Sequence, residues 1–375
     1  MFAQVVFFIL LISLVVQTGY VLYFFGHVFS LPLRAVKYTP EKPVSIIVCA
    51  HNEADNLRDN LPLILAQRYI NDTGNAIFEV IVVNDASDDD TAAVLASLQQ
   101  EYDILKVVNI SADEERTYPG KKFALSKGVE AAANNVLLMT DADCTPASKH
   151  WLKNMAHPFH EGKELVVGYG KYRSERKLLN AFTRWETVHT FLQYTSYALA
   201  GNPYMGVGRN IACTRDAFLR AQQTPSWSLL PSGDDDLLVS ATANKTNIGV
   251  VATSASFTLT DARDDMDKWV AQKRRHLSTG KYYKSATKLL LGTYGTAHMV
   301  IWVSFIISLF TRYWDIALVA MSFRCLIYWL IWWYSACILN EKKLIRFFPL
   351  FDFGWMIYNF AFSPYILWKN KQQWT

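Results

Sequence analysis

The chain has 375 residues, enough for one sizeable soluble domain together with membrane segments. Its formal net charge is only +4, and no basic stripe is interleaved with stacking aromatics, which argues against a nucleic-acid partner. Hydrophobic residues make up 51% and aromatic residues 14% of the chain, both high for a purely soluble enzyme. The five cysteines form no C-x-x-C pair, so we expect reduced, buried thiols rather than a disulfide framework or a zinc site.

The first predicted element is a membrane anchor over residues 1–28. Residues 2–25 form an uncharged apolar run that is long enough to cross a hydrocarbon core of about 30 Å. A cleaved signal peptide is the alternative, but a basic n-region and a small-residue cleavage site are not evident. Arg34, Lys37 and Lys42 follow the run, which predicts a cytoplasmic position for the next domain and contact with membrane lipid.

The middle of the chain, residues 40–285, alternates strand-like and helical segments. Short β-branched runs cover 44–50, 80–84 and 135–140, and helical patterns cover 53–67, 91–102 and 122–133. This alternation predicts an α/β fold with a mostly parallel central sheet. Ligands of such sheets bind beyond the carboxyl ends of the strands. Polar residues follow each of the three runs, so we expect them to form one site.

Asp141 and Asp143 follow the third strand in the segment TDADC. Two carboxylates one residue apart, directly after a buried strand, suit a hard cation such as Mg²⁺ or Mn²⁺, which keeps open positions for a diphosphate. The alternative is a solvated turn or a helix N-cap near Pro146. We interpret the pair as a metal motif.

Other acidic and basic side chains are candidates for substrate contacts. Asp85, at the tip of the second strand, could accept a hydrogen bond from a nucleobase, whereas the aspartates at 88–90 precede a helix and are mainly capping residues. Lys121 lies in a loop that leads into a helix, where phosphates approach readily. Asp234, Asp235 and Asp236 follow a Pro-Ser-Gly turn. We expect one of the three to act as a general base and the others to cap or orient it.

A basic stretch at 272–276, Gln-Lys-Arg-Arg-His, precedes the second apolar region. One interpretation is a juxtamembrane patch held by anionic lipid. The other is a lid whose Gln272 and Arg275 neutralise a leaving diphosphate.

The C-terminal region, residues 286–375, is predicted to hold two or three membrane helices. Residues 289–311 and 316–339 are candidate spans, and a charge such as Arg324 inside a span usually faces another helix or a watery cavity. Residues 347–368 could span, re-enter or lie in the interface. If they span, Lys369 and Lys371 lie outside, against the positive-inside rule.

Taken together, these motifs resemble the family 2 glycosyltransferases, an inverting group with the glycosyltransferase-A fold. VSIIVCAHNEADNL is similar to the first strand and nucleotide loop of that family, and GVGRNIACTRDAF to its acceptor-side Gly-x-Asn-x-Ala-x-x-Arg segment, with Asn210 and Arg215 at matching places. The resemblance implies metal ligation by Asp143 and Asp141 and catalytic roles for Asp234, Asp235, Gln272 and Arg275. The substrate-binding residues that it implies are Ala50, Asn52, Glu53, Asp85, Lys121, Asp141, Asn210 and His276.

Two positions depart from the family pattern. Gly233 stands where the family's Glu-Asp-x-Asp-Leu region has Glu, which leaves Asp234 at the base position. QKRRH resembles the Gln-x-x-Arg-Trp signature of processive polysaccharide synthases, with His276 in place of the tryptophan that contacts the acceptor sugar. That replacement puts chain polymerisation in doubt.

The resemblance implies a membrane enzyme of the hexosyltransferase type in cell-envelope polysaccharide biosynthesis. Its expected partners are a nucleotide-diphosphate sugar, with UDP favoured, and a lipid-linked or glycan acceptor. The alternative is a non-catalytic, membrane-bound scaffold that binds nucleotide sugars. A transporter has little support, because a few predicted helices with one charged residue, Arg324, are weak evidence for a transport pathway.

Overall fold

The computed structural model describes residues 1–31, 33 and 37–367. Arg34, Lys369 and Lys371, which entered the orientation argument, lie outside the described residues. The chain divides into two compact units. The described residues of one are 31, 33, 37–173 and 203–262, and those of the other are 1–30, 174–202 and 263–367. The predicted division placed residues 40–285 in one domain, but 174–202 and 263–285 belong with the apolar helices.

The first unit, here called the catalytic unit, contains ten strands and seven helices among its described residues. Its strands are β1 Val44–Ala50, β2 Phe78–Asp85, β3 Leu105–Ile110, β4 Val136–Asp141, β5 Thr145–Pro146, β6 Leu165–Val167, β7 Gly170–Tyr172, β8 Ile211–Thr214, β9 Ile248–Val250 and β10 Thr258–Thr260. Its helices are α2 Ala54–Leu65, α3 Thr91–Glu101, α4 Lys121–Ala131, α5 Trp151–His160, α7 Arg215–Gln222, α8 Pro225–Ser228 and α9 Asp236–Thr242.

The main sheet has the order β3-β2-β1-β4-β8-β6-β9, and a small sheet has the order β5-β10-β7. In the main sheet β8 is antiparallel to both of its neighbours, and the other four pairings are parallel. Every residue of β1 and β2 is buried, as expected for parallel strands covered on both faces. The predicted α/β fold with a mostly parallel sheet is confirmed.

The second unit, here called the helical unit, contains α1 Phe2–Tyr23, α6 Leu178–Leu199, α10 Met266–Leu277, α11 Ser285–Ser308, α12 Trp314–Ile338 and α13 Phe348–Phe362. Three of its segments are long and apolar enough to cross a membrane: Phe2–Ser30, Ser285–Ser308 and Trp314–Ile338. The side chains of Phe8, Val15 and Val319 are more than 60% exposed, which suits contact with lipid. The predicted anchor and two C-terminal spans therefore correspond to helices.

The last predicted segment, 347–368, contains the short helix α13. Its 15 residues rise about 22 Å, which falls short of a hydrocarbon core of about 30 Å. Of the alternatives for this segment, the length of α13 disfavours a span.

Arg324 on α12 is buried and forms an ion pair with Asp352 of α13. Its Nε also donates to Oε1 of Gln17 on α1 at 2.8 Å, and Trp302 of α11 donates to Oδ2 of Asp352 at 3.2 Å. One charge pair therefore joins four helices, which confirms that Arg324 faces other helices.

Candidate active site

The carboxyl ends of β1, β2 and β4 lie side by side, because β1 is the central strand of the three. Ala50 pairs with Asn84 of β2, and Cys49 pairs with Asp141 of β4. The polar residues that follow these strands therefore meet at one edge of the sheet. This is the edge at which ligands of parallel sheets bind.

The loop after β1 is tied to the loop after β2. Asn52 has a φ of 56°, a left-handed conformation that asparagine tolerates better than most residues. Its Oδ1 accepts a hydrogen bond from the backbone N–H of Asp88 at 2.9 Å, and its own N–H donates to Ser87 Oγ. The Glu53 N–H donates to Thr91 Oγ1. Asn52 and Glu53, the two predicted nucleoside contacts, both lie at this edge. The side-chain carbonyl of Asn52 also holds the loop after β2.

Asp89 performs the capping that was expected of the aspartates at 88–90. One of its carboxylate oxygens accepts from the N–H of Ala54, at the start of α2, and the other from the N–H of Thr91, at the start of α3. A single exposed carboxylate therefore satisfies a free N–H at the start of each of two helices.

Asp85 is buried at the tip of β2 and is paired with Arg116. The two guanidinium nitrogens donate to the two carboxylate oxygens at 3.1 and 2.6 Å, and Asp85 is only 1% exposed. Such a two-pronged pair is among the stronger hydrogen-bonded arrangements in proteins. The prediction for Asp85 did not foresee this partner, because Arg116 lies in a loop with no recognisable motif.

Asp141, Asp143 and Cys144 form the candidate metal site. Their ligand atoms all lie within 4.8 Å of one another, close enough to share one cation. Burial raises the pKa of the Cys144 thiol well above its usual value, and the charges of Asp143 and Asp141 raise it further. The thiol donates to Oδ1 of Asp143 at 3.3 Å. The two carboxylates are the ligands that a hard cation prefers, so the residues fit Mg²⁺ or Mn²⁺.

Lys121, at the start of α4, joins the metal motif to the triple-aspartate segment. Its ammonium group forms an ion pair with Asp141, and its Nζ lies 3.8 Å from Oδ2 of Asp234. Burial lowers the pKa of Lys121, but the charges of Asp141 and Asp234 outweigh burial, and the net pKa is raised. Asp141 and Asp234, which are far apart in the sequence, therefore face the same ammonium group and line one site.

The three adjacent aspartates have different partners. Asp235 accepts hydrogen bonds from the backbone N–H of Gly208 at 2.6 Å and from that of Asp236 at 2.7 Å. It is the N-cap of α9. Burial raises the pKa of Asp235 to about 7, with further contributions from Asp234 and Asp236. Asp234 faces Lys121 instead. This geometry favours Asp234 as the base and Asp235 as the residue that orients the loop.

Gly233 has a structural reason to differ from the family's glutamate. Its φ is +83°, and a Cβ added to it would lie 2.6 Å from Cδ1 of Leu237 and 2.7 Å from Oδ1 of Asp236. A side chain would therefore be strained by the backbone conformation and blocked by α9. The turn that delivers Asp234 in this protein depends on glycine.

Lys122 holds the segment that leads to these aspartates. It is completely buried, and its ammonium donates to the carbonyl oxygens of Trp227, Leu230 and Ser232 at 2.6, 2.9 and 2.8 Å. Burial lowers the pKa of Lys122 to about 8, although the charge of Asp234 opposes the shift. The sequence analysis missed this role. In the segment PGKKFAL, the sequence pattern had indicated a role only for the neighbouring Lys121.

The predicted substrate contact of Asn210 is not supported by its surroundings. Asn210 is fully buried. Its Oδ1 accepts from Trp151 Nε1, and its Nδ2 donates to the carbonyl oxygens of Tyr169 and Ser256. The side-chain amide of Asn210 therefore links three separate segments inside the protein. Arg215 is similarly occupied, since it donates to carbonyl groups at the end of α4.

Gln272, Arg275 and His276 lie on α10 in the helical unit. The same helix carries Lys273, which forms a buried ion pair with Glu186 of α6, and Trp269, which packs on Tyr358 of α13. These contacts attach α10 within its own unit. The expected roles of Gln272, Arg275 and His276 towards diphosphate and acceptor stay predictions.

Comparison with known proteins bears on the identity of the fold. Residues 45–219 match the sequence model of glycosyl transferase family 2. The chain is 30% identical over 125 residues to glycosyltransferase AglE of Haloferax volcanii, which covers 33% of this chain and 38% of AglE. It is 25% identical over 167 residues to a poly-beta-1,6-N-acetyl-D-glucosamine synthase of Staphylococcus aureus, which covers 41% of this chain and 37% of the synthase. The chain thus spans about two fifths of the length of these curated relatives.

A solved structure resembles the chain over most of its length. Mannosyltransferase PcManGT from Pyrobaculum calidifontis, in complex with GDP-Man and Mn²⁺, superposes with a TM-score of 0.55 at 15% identity, covering 92% of this chain and 99% of that one. At this identity the likeness shows the fold. The chain therefore has the glycosyltransferase-A fold, and its residues 45–219 resemble a glycosyl transferase family 2 domain.

Proposed function

We propose that this chain transfers a sugar from a nucleotide-diphosphate sugar to a hydroxyl of a lipid-linked or glycan acceptor at the cytoplasmic face of a membrane, with inversion at the anomeric carbon. The observation that carries the proposal is the position of Lys121, paired with Asp141 of the metal motif and 3.8 Å from Asp234. A donor-side carboxylate and a candidate base therefore share one site.

Asp143 and Asp141 would hold Mg²⁺ or Mn²⁺, and the bound cation would neutralise charge that develops on the leaving diphosphate. Lys121 would add a second positive charge at the same place. Preorganised charge of this kind is a large contribution to catalysis in group transfer.

Asp234 accepts the proton of the acceptor hydroxyl in this mechanism. The acceptor oxygen forms a bond to the anomeric carbon as the bond from that carbon to the diphosphate breaks, and one such displacement inverts the configuration. Asp235, held by the N–H of Gly208, keeps the base loop in position. By resemblance, Gln272 and Arg275 act on the leaving diphosphate, and His276 contacts the acceptor sugar.

The donor base and the membrane side are also part of the proposal. Asp85 and the loop residues Ala50, Asn52 and Glu53 would contact the nucleoside, and the resemblance favours uridine. Lys37 and Lys42 follow α1, and Lys342, Lys343 and Arg346 follow α12. By the positive-inside rule, both basic segments favour a cytoplasmic position for the catalytic unit.

The test is nucleotide release by the full-length chain in detergent, screened over UDP- and GDP-sugars with Mn²⁺ or Mg²⁺ and a glycan or polyprenyl-phosphate sugar acceptor. We expect Asp234→Asn to lower kcat about 100-fold or more, because the base is lost. Asp143→Asn should raise the concentration of Mn²⁺ needed for half-maximal activity. Asp59→Asn, exposed on α2, is the matched control and should behave as wild type.

The competing function is a scaffold that binds nucleotide sugar without turnover. Tight, metal-dependent binding of the nucleotide sugar with no release by wild type would favour the scaffold. Unchanged turnover in Asp234→Asn would remove the assigned base. The size of the product would then distinguish one addition from polymerisation.

A further inference from the structure

Arg209 is a partly buried cation in the catalytic unit, with a guanidinium nitrogen that is buried and has no partner. It lies between Gly208 and Asn210 in the acceptor-side segment, and its guanidinium carbon is 4.2 Å from the centroid of the Tyr172 ring. Among the described residues, none forms a salt bridge with it, and its Nη1 is buried without a hydrogen-bond partner. A buried donor nitrogen left without a partner is costly. It therefore suggests a missing partner.

Two buried hydroxyls belong to the strand that pairs with β7, over which Arg209 packs. Arg209 packs over Gly170 of β7, where an added Cβ would lie 3.1 Å from Nε of Arg209. In the small sheet, Thr258 pairs with Gly170 and Thr260 pairs with Tyr172. Paired residues of neighbouring strands point to the same face, so both threonines share the face that Arg209 covers. Their hydroxyls are buried and have no partner.

The cluster of Arg209, Thr258 and Thr260 adjoins both halves of the proposed site. Thr140, next to Asp141, donates to the carbonyl of Arg209 at 2.9 Å. On the other side, the N–H of Gly208 holds Asp235. Burial lowers the pKa of Arg209, but Tyr172 and Cys144, followed by Asp143 and Asp141, raise it. A divalent cation would neutralise those two carboxylates and leave the guanidinium charge available to an anion.

We propose that Arg209, Thr258 and Thr260 form an oxyanion subsite that receives a phosphate group beside the metal motif. The guanidinium fork matches phosphate oxygens, and the two hydroxyls are further donors. A neutral sugar hydroxyl would not compensate the positive charge of Arg209. The inference rests on the proposed function, and the phosphate belongs either to the diphosphate of the donor or to a phosphorylated acceptor.

The experiment uses calorimetry on the full-length chain in detergent, with Mn²⁺ and whichever of UDP and GDP binds wild type more tightly. Inorganic phosphate is then titrated into protein saturated with Mn²⁺ and that nucleotide. The variants are Arg209→Gln, Arg209→Lys and the double variant Thr258→Val/Thr260→Val. Arg220→Gln, an exposed arginine that pairs with Glu164, is the matched control.

If the phosphate is the donor's, Arg209→Gln should weaken nucleoside diphosphate binding at least about tenfold, with partial recovery in Arg209→Lys. If it is the acceptor's, nucleotide affinity stays unchanged, and binding of inorganic phosphate is lost. The double threonine variant keeps Arg209 and should show a smaller loss of the same binding affinity. It therefore tests the subsite even if Arg209→Gln does not fold.

Nucleotide and phosphate affinities equal to wild type in the arginine and threonine variants would overturn the subsite. A wild-type chain that binds neither metal-nucleotide complex would contradict the proposed function itself. The two failures are thus distinguishable by the behaviour of the wild type.

Discussion

At the scale of single residues, the site depends on how neighbouring acidic groups divide their tasks. Asp234 faces Lys121, whereas Asp235 accepts two backbone hydrogen bonds and caps α9. Three identical side chains in a row thus acquire different environments. The sequence predicted such a division, but only the contacts show which residue takes which task.

Asp235 should make the stability of the metal-free protein depend on pH. Its pKa is raised to about 7 in the folded chain by burial and by its acidic neighbours, above the value of about 3.9 in an unfolded chain. The unfolded state therefore releases this proton first, and stability falls as pH rises from about 4 to about 7. Asp235→Asn cannot ionise. Measured in EDTA, its Tm relative to wild type should be higher at pH 8 than at pH 5.

The control for that measurement is Asp59→Asn, whose Tm relative to wild type should be the same at both pH values. A difference between Asp235→Asn and wild type that does not vary with pH would show that Asp235 is ionised throughout. The raised pKa would then be wrong.

Gly233 should be sensitive to any side chain. Gly233→Ala would suffer the strain of a left-handed conformation, about 1–2 kcal/mol, and a collision with Leu237 and Asp236. We expect kcat to fall at least about tenfold, because the collision displaces the adjacent Asp234. Gly233→Glu restores the family's residue and should also lose activity.

Gly74→Ala is the matched control for Gly233. Gly74 has a φ of +81°, but an added Cβ would meet nothing within 4 Å. It therefore carries the backbone strain without the collision, and its kcat should stay unchanged. Equal kcat in Gly233→Ala and Gly74→Ala would contradict the proposed link between this turn and the base.

At the scale of elements, buried ion pairs hold the helices of the helical unit together. Arg184 of α6 pairs with Glu341, which follows α12, and Lys273 of α10 pairs with Glu186 of α6. The pair of Arg324 and Asp352 joins α12 to α13. Breaking one partner of a buried pair costs more than the pair itself contributes, because a charge is left without compensation.

Removing one partner of the pair between α12 and α13 should destabilise the full-length chain. We expect Arg324→Met and Asp352→Asn each to cost about 3–5 kcal/mol. The double variant should recover part of that loss, because no charge remains unpaired. Thermal unfolding in detergent measures the effect, and Arg346→Met, exposed after α12, is the control. Additive losses in the double variant would show that the two residues do not act as a pair.

At the scale of the whole molecule, the proposed orientation places three spans between two compartments. With the catalytic unit inside, the short connection between α11 and α12, which contains Arg312, lies outside. The segment after α12, which contains Lys343, lies inside. Both residues are exposed.

Cysteine labelling tests this orientation. We expect Arg312→Cys in intact cells to react with a membrane-impermeant maleimide, and Lys343→Cys to react only after the cells are permeabilised. Wild type, whose five cysteines are buried or part-buried, gives the background. The reverse pattern would place the catalytic unit outside and contradict the cytoplasmic assignment.

Much of this protein follows from its sequence alone. The β-branched runs and helical patterns predicted β1, β2, β4 and the helices that follow them, because hydrophobic periodicity reports secondary structure locally. Long uncharged stretches predicted the three spans for the same reason. The metal motif was recognisable because Asp141 and Asp143 act together at a spacing of two residues.

Tertiary structure decided which distant groups meet. Lys122 and the carbonyl of Ser232 are 110 residues apart, and the local sequence pattern does not predict their contact. Likewise, Arg116 pairs with Asp85, Asp352 pairs with Arg324, and the amide of Asn210 binds Trp151 and two backbone carbonyl groups. Periodicity and short motifs reflect interactions between residues that are close in the sequence. Partners brought together by sheet order and helix packing depend on the path of the whole chain.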